Sequence, residues 1–200
     1  MKYILFIALM MFLPLNAQAA DNRHDIERAE NYLRNLGTVK ADFVQRAGEG
    51  NQLTGTFYLN RPGKLRFEYN EVDDFIVADG LFIYFYDSEL QQQSNAPIGH
   101  TLADFLLRKN LSLTKDLRVQ NVKNITPYQV ITLVERDDEG AGVVKLFFET
   151  APYALKKWQV IDATGMTTEI SLNNMQRDIK LRPALFAYIA PKSDKPHYNE

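Results

Sequence analysis

Between Gly55 and Tyr69 the chain reads GTFYLNRPGKLRFEY, and bulky apolar side chains return at every second position. That spacing predicts two strands, because successive strand side chains point to opposite faces. Phe57 and Leu59 share a face of the first strand, and Leu65, Phe67 and Tyr69 share a face of the second. The opposite face carries Thr56, Asn60, Lys64, Arg66 and Glu68, with Tyr58 as the exception. The two apolar sets lie on the same side only if the connecting loop holds an odd number of residues. Arg61-Pro62-Gly63 meets that condition; a two-residue Pro-Gly turn would set Phe57 opposite Glu68.

The rest of the chain yields to the same reading. Ile26, Ala29, Leu33 and Leu36 recur at helical spacing and predict a helix over Asp25–Gly37, with Gly37 as its stop. Strands are expected at Val39–Gln45, Phe75–Ala78, Leu81–Tyr86 and, in more polar form, Leu90–Ser94. Leu81–Tyr86 carries bulk on both faces, which predicts a strand covered on both sides. Thr101–Arg108 fits a short amphipathic helix capped by Thr101, with Leu102, Phe105 and Leu106 on its apolar side. Strands resume at Leu117–Val122, Tyr128–Val134, Val143–Phe148, Leu155–Ile161 and Thr167–Leu172. Turn residues separate them, notably at Asp137–Gly140 and Asp162–Gly165.

One helix, many antiparallel strands in meander order and one short inserted helix predict a mainly β fold of α+β type. A sheet of that width must curl to keep its edges from becoming exposed templates. A strongly curved, unclosed barrel with helices over its mouth is the economical solution.

The first residues change the picture of where the protein works. Lys2, the uncharged run Tyr3–Leu13, Pro14 and the small-x-small pattern Ala17-Gln18-Ala19 form a cleavable export signal, cut after Ala19. The run falls short of the about 20 apolar residues that span a bilayer. The expected organisation is a signal peptide over 1–19 and a single domain over 20–200. The chain has no cysteine, so it can neither form disulfides nor carry lipid on a residue after the cleavage site. With 23 basic and 25 acidic residues in scattered order, it lacks the basic field that nucleic-acid binding requires.

The search for chemistry is mostly negative. His24, His100 and His197 have no second ligand at metal-binding spacing. There is no Gly-x-Ser-x-Gly elbow and no phosphate-cradling glycine loop. Asp73-Asp74 and Asp137-Asp138-Glu139 sit beside turns, where acids serve as solvated turn formers. No enzyme, metal or cofactor is expected. The 12 Phe and 10 Tyr remain. They fit either an ordinary core or a ligand pocket, and a lone amphipathic segment among strands favours a covered pocket at a barrel mouth.

The run GTFYLNRPGKLRFEYNEVDDFIVADG, from Gly55 to Gly80, resembles the segment shared by periplasmic outer-membrane lipoprotein carrier proteins of the LolA family. Ala41–Gln45, Tyr84-Phe85-Tyr86, Phe186 and Pro191 add to the resemblance, which extends over nearly all of the chain after the signal. It implies an unclosed antiparallel barrel of about eleven strands with a helical lid, similar to LolA and its receptor LolB. It implies a carrier that accepts lipoproteins from an inner-membrane ABC transporter, shields their acyl chains and delivers them to an outer-membrane receptor. That receptor is itself a lipoprotein, so the absent cysteine matches the soluble carrier. A monomer is expected.

By position, Arg61 corresponds to the family arginine that holds the lid closed. Phe57, Leu59, Leu65, Phe67, Tyr69 and Tyr84 are the expected walls of the acyl-chain cavity. Leu33 and Leu36, with Leu102, Phe105 and Leu106, are the expected lid residues. Lys64 and Glu89 depart from the apolar residues common in the family, and the C-terminal part is short. The alternative is a periplasmic regulator that senses lipids or lipoproteins with the same half-barrel.

Overall fold

The computed structural model describes residues 17–48, 50–99 and 104–191. The expected export signal lies almost wholly outside the described residues. The helix α1 (Ala17–Arg34) begins earlier than its apolar spacing suggests and ends three residues before Gly37. Beyond Arg34 the last turn tightens, with Leu36 N–H donating to the Leu33 carbonyl at 3.4 Å. Gly37 then takes φ +61°, the left-handed conformation that glycine adopts without a Cβ penalty.

Eleven antiparallel strands follow among the described residues. They are β1 (Thr38–Ala47), β2 (Asn51–Asn60), β3 (Lys64–Tyr69), β4 (Phe75–Asp79), β5 (Phe82–Asp87) and β6 (Gln92–Pro97) in the first half. The second half holds β7 (Leu117–Ile125), β8 (Tyr128–Glu135), β9 (Gly142–Thr150), β10 (Tyr153–Asp162) and β11 (Thr167–Arg177). The sheet order is β6-β5-β4-β3-β2-β1-β11-β10-β9-β8-β7. The fold is therefore two meanders joined where β1 pairs with β11. The strands consecutive across the midpoint, β6 and β7, are the two free edges, and the sheet stays unclosed.

The opening hairpin follows the odd-loop rule. Asn60 pairs with Lys64, Leu59 with Leu65 and Phe57 with Phe67, so Arg61-Pro62-Gly63 is the whole loop. Gly55, opposite Tyr69, sits where a Cβ would fall 1.9 Å from the Glu68 carbonyl and 2.7 Å from the Phe43 ring. Only glycine fits beneath that ring.

One face of the sheet, α1 and the segment joining β6 to β7 enclose a single apolar core. Val39, Ala41, Phe43, Leu146, Phe148, Leu155 and Leu172 come from the strands, and Ala29, Leu33 and Leu36 from α1. This is the concave face. A smaller cluster lies on the convex face, where a short 3-10 turn (Pro183–Phe186) packs on β3 and β4. The expected strand of Leu81–Tyr86 is covered on both sides only in its middle, because Leu81 is 73% exposed.

The inserted helix is a correction. Thr101, Leu102 and Ala103 lie outside the described residues. From Asp104 to Leu107 the chain forms a 3-10 end and turns, with Leu107 N–H donating to the Asp104 carbonyl at 2.7 Å. That bond spans three residues rather than four, the spacing of a 3-10 turn and not of an α-helix.

Candidate functional site

The concave wall is aromatic. Phe57 and Phe67 stand across β2 and β3 with ring centroids 4.8 Å apart. Phe43 from β1 meets Phe67 edge-on at 5.0 Å and Tyr69 at 5.2 Å. Trp158 from β10 closes the opposite side, 6.1 Å from Phe57 and 6.5 Å from Phe67. Phe57, Leu59, Leu65 and Phe67 are all buried in the core. Tyr69 shares their face at the rim, its hydroxyl donating to Gln45 Oε1 at 2.9 Å. Burial pushes that hydroxyl up to about 12, with Asp74 adding to the rise.

Tyr84 does not belong with them. Ile83 pairs with Ala78, and Ala78 with Leu65, so Ile83 extends the concave row. Tyr84 pairs with Val77, which faces Arg66, and so points to the convex side. There its ring stacks on Tyr188 at 4.5 Å and its hydroxyl donates to Asp79 Oδ2 at 3.2 Å. Successive strand residues face opposite ways, and the expected cavity residue is one position off.

The hollow is filled by the segment that joins the two edges. Phe105, Leu106, Leu107, Leu111 and Leu113 are all buried in the core. Phe105 meets Trp158 edge-on at 6.0 Å. Leu33 and Leu36 of α1 are buried beside them. Of the expected lid residues, Leu102 alone lies outside the described part.

Arg61 is placed to hold this cover down. Its Nη1 donates to the Leu106 carbonyl and its Nη2 to the Arg108 carbonyl, the latter at 2.8 Å. Gly63 N–H donates to the Leu107 carbonyl at 3.0 Å, so one turn grips three consecutive carbonyls of the covering segment. The turn is anchored in its own right, because Arg61 N–H donates to the Gly37 carbonyl at 3.0 Å. Burial, with a smaller contribution from Arg34, pulls the Arg61 guanidinium below its ordinary value. An arginine keeps its charge through such a shift, so both bonds have an ionised donor.

Four contributors escaped the sequence reading. Trp158 sits beyond a bulge at Leu155/Lys157 that resets the alternation and puts Leu155 and Trp158 on one face. Gly63 acts through its backbone alone, which no side-chain pattern signals. Glu30 and Arg34 lie off the apolar spacing of α1, yet both reach the cover. Arg34 Nε donates to the Leu111 carbonyl at 2.7 Å, and Glu30 Oε1 accepts from Leu113 N–H at 2.6 Å. Among the described residues no group of three or more acidic or histidine side chains could hold a metal ion, and no helix is long and apolar enough to cross a membrane.

The site is an unclosed antiparallel sheet whose apolar concave face lies under a hydrogen-bonded cover. A model of the family described as outer membrane lipoprotein carrier protein LolA matches residues 34–189, and the chain belongs to that family. An outer-membrane lipoprotein carrier protein of Dechloromonas aromatica is 30% identical, the match covering 94% of this chain and 92% of that one. One from Methylococcus capsulatus is 28% identical over 82% of this chain and 83% of its own. Among solved structures, a LolA superfamily protein from Nitrosomonas europaea aligns with TM-score 0.47 and 10% identity, covering 83% of this chain and 97% of that one. The family is one of carriers, and the protein is a binding protein rather than an enzyme.

Proposed function

We propose that the protein is a periplasmic lipoprotein carrier that shelters acyl chains against its concave aromatic face. In this reading residues 1–19 are the export signal, and the protein receives cargo from an inner-membrane ABC transporter. It hands the cargo to an outer-membrane receptor. The observation that carries the reading is the grip of Arg61 and Gly63 on three consecutive carbonyls of the segment that covers the apolar concave face.

The energetics favour a competing lid. An exposed methylene costs about 0.8 kcal/mol, so cargo with three acyl chains needs an escort through water. Burying roughly forty methylenes would nominally yield about 30 kcal/mol, beyond the practical ceiling of about 20 kcal/mol for non-covalent binding. A carrier with so tight a grip could not release. Here the hollow is occupied by the protein's own Phe105, Leu106 and Leu107. Their burial is worth about 1.5–3 kcal/mol each, and each charge-assisted bond from Arg61 about 1.5–3 kcal/mol. Cargo entry must displace these contacts, and their re-formation helps expel it.

Purification from periplasm tests the reading. The protein is expected to carry triacylated lipoprotein in a soluble one-to-one complex, seen by native mass spectrometry. Recovery of the protein without lipoprotein, from cells whose export of lipoproteins depends on it, would overturn the assignment.

A further inference from the structure

Among the described residues the buried polar and charged side chains are Asp25, Glu30, Asp104, Ser112 and Gln129. All but one are satisfied within the chain. Glu30 accepts from Leu113 N–H and from the Ser112 hydroxyl, and pairs with Arg34. Asp104 accepts from Gly99 N–H at 2.6 Å and from Arg108 Nε at 2.9 Å. Gln129 accepts from the Tyr153 hydroxyl at 2.8 Å and donates to Asn124 Oδ1 at 3.3 Å. Asp25 is the exception. It is 9% exposed, and among the described residues no hydrogen bond or ion pair reaches its carboxylate. Its oxygens keep a narrow opening to solvent, so a ligand can reach them.

Asp25 shares the inward side of α1 with Ala29 and Leu33, at i, i+4 and i+8 spacing. Gln129 pairs with Phe148 and Phe148 with Leu155, so these three lie in one row of the concave face. Tyr153 stands two positions before Leu155 on the same side of β10. Its ring stacks on Phe148 at 5.1 Å and meets Tyr32 edge-on at 5.8 Å, while the Arg28 guanidinium lies 3.8 Å from its centre. Burial raises the Tyr153 hydroxyl above its ordinary value; Arg28 opposes the rise and Asp25 adds to it, which puts both charges near this phenol. Asp25 is thus a lone acceptor at the margin of an apolar wall. Taking a carboxylate out of water without a donor is costly, and buried polar groups in native proteins have partners. One carboxylate is too few to hold a metal ion. It suits an N–H donor, and an ionised acceptor makes that bond a strong one.

We propose that Asp25 is a polar subsite of the concave face, accepting a hydrogen bond from the nitrogen of an acylated cysteine whose acyl chains lie against the apolar wall. That nitrogen is an ammonium when the cysteine carries two acyl chains and an amide N–H when it carries three. A carboxylate accepts from both and favours the ammonium, whose charge it offsets. Phe148, Leu155 and Leu33 beside it exclude a fully hydrated partner and suit a nitrogen flanked by hydrocarbon. The unpartnered carboxylate is a feature of the structure; that its ligand is an acylated cysteine rests on the carrier reading above.

Two lipopeptides test the assignment, dipalmitoyl-cysteine and tripalmitoyl-cysteine, each joined to the same short uncharged peptide and titrated into the protein. Both should bind the wild type. Asp25→Asn is expected to weaken the dipalmitoyl peptide about tenfold or more and the tripalmitoyl peptide about threefold or less, because an amide oxygen still accepts but no longer offsets a charge. Without ligand, the same variant should be no less stable to urea than the wild type, since it gives up no bond within the chain. A clear loss of stability would make Asp25 a structural residue and overturn the assignment. Unchanged affinity for both peptides would overturn it as well and leave the carrier reading standing, as would an equal loss for both. Failure of the wild type to bind either peptide would remove the carrier reading, and the assignment with it.

Discussion

The two faces of β3–β5 both carry aromatic rows, and they are covered in different ways. On the concave side Phe57, Phe67 and Trp158 lie under Phe105, which belongs to a segment held by its own apolar burial and, at its margin, by hydrogen bonds from a turn and a helix. On the convex side Phe75, Tyr84 and Tyr86 lie beside the C-terminal segment. Tyr188 stacks on Tyr84 there, and Phe186 is buried in the turn that packs on β3 and β4. Phe57, Phe67 and Phe105 on the concave side are hydrocarbon rings, while the convex cluster includes three phenols, Tyr84, Tyr86 and Tyr188. Apolar burial is non-directional, whereas a hydrogen bond has a geometry that can be made or broken as a unit. A cover that must open is better controlled by a few directional bonds at its margin. A cover that never opens can rest on stacking.

Truncation should separate the two faces most strongly. Phe57→Ala removes a fully buried ring from the concave wall and is expected to cost about 3–5 kcal/mol of stability in a urea titration. An effect below about 1 kcal/mol would mean that the wall is not part of the load-carrying core. Arg61→Leu comes next. It deletes two charge-assisted bonds and should shift lid closure by about 3 kcal/mol, read as faster amide exchange at Leu106 and Leu107. Cargo should still bind, while transfer to acceptor membranes slows. Transfer at the wild-type rate would rule out the latch.

Alkaline pH probes the rim of the concave face. Tyr69 titrates near 12 in the folded protein against 10.0 for an unperturbed group. Above pH 10 the unfolded chain has lost this proton and the folded one keeps it. Stability therefore falls as pH rises, by about 1.4 kcal/mol per unit between pH 10 and 12 from this group alone. Below pH 10 the contribution is complete and flat. Tyr69→Phe should remove that part of the slope, measured by denaturation at several pH values. An unchanged slope would place the ring in water.

Much of the architecture was legible in the chain. The odd loop at Arg61–Gly63 determined the register of the first hairpin, because only that count puts Leu59 opposite Leu65. The curl and the open sheet followed from strand number. The junction of β1 with β11 was not legible: pairing across more than a hundred residues leaves no local pattern, and meander order alone would have set β6 beside β7. Tyr84 failed for a related reason, since a strand with bulk on both faces does not say which face is inside. The Trp158 side was lost at a bulge, which breaks the two-residue count. Glu30 lies off the apolar spacing of its helix, and its contact with Leu113 N–H is a tertiary event that leaves no mark on that spacing.

The smallest expected effect lies on the convex face and tests whether the two covers are independent. Tyr188→Ala removes the stack on Tyr84 and the tilted contact with Phe75 at 6.1 Å. Aromatic pairs of this kind contribute about 0.5–1.5 kcal/mol beyond area burial, and Tyr188 is only partly buried, so a loss of about 1 kcal/mol is expected. Lid exchange and cargo binding should not change, because Val77 and the rest of β4 stand between Tyr188 and the hollow. A faster exchange at Leu106 or Leu107 in this variant would mean that strain passes through the sheet. The convex segment would then be a third restraint on the lid rather than a separate cover.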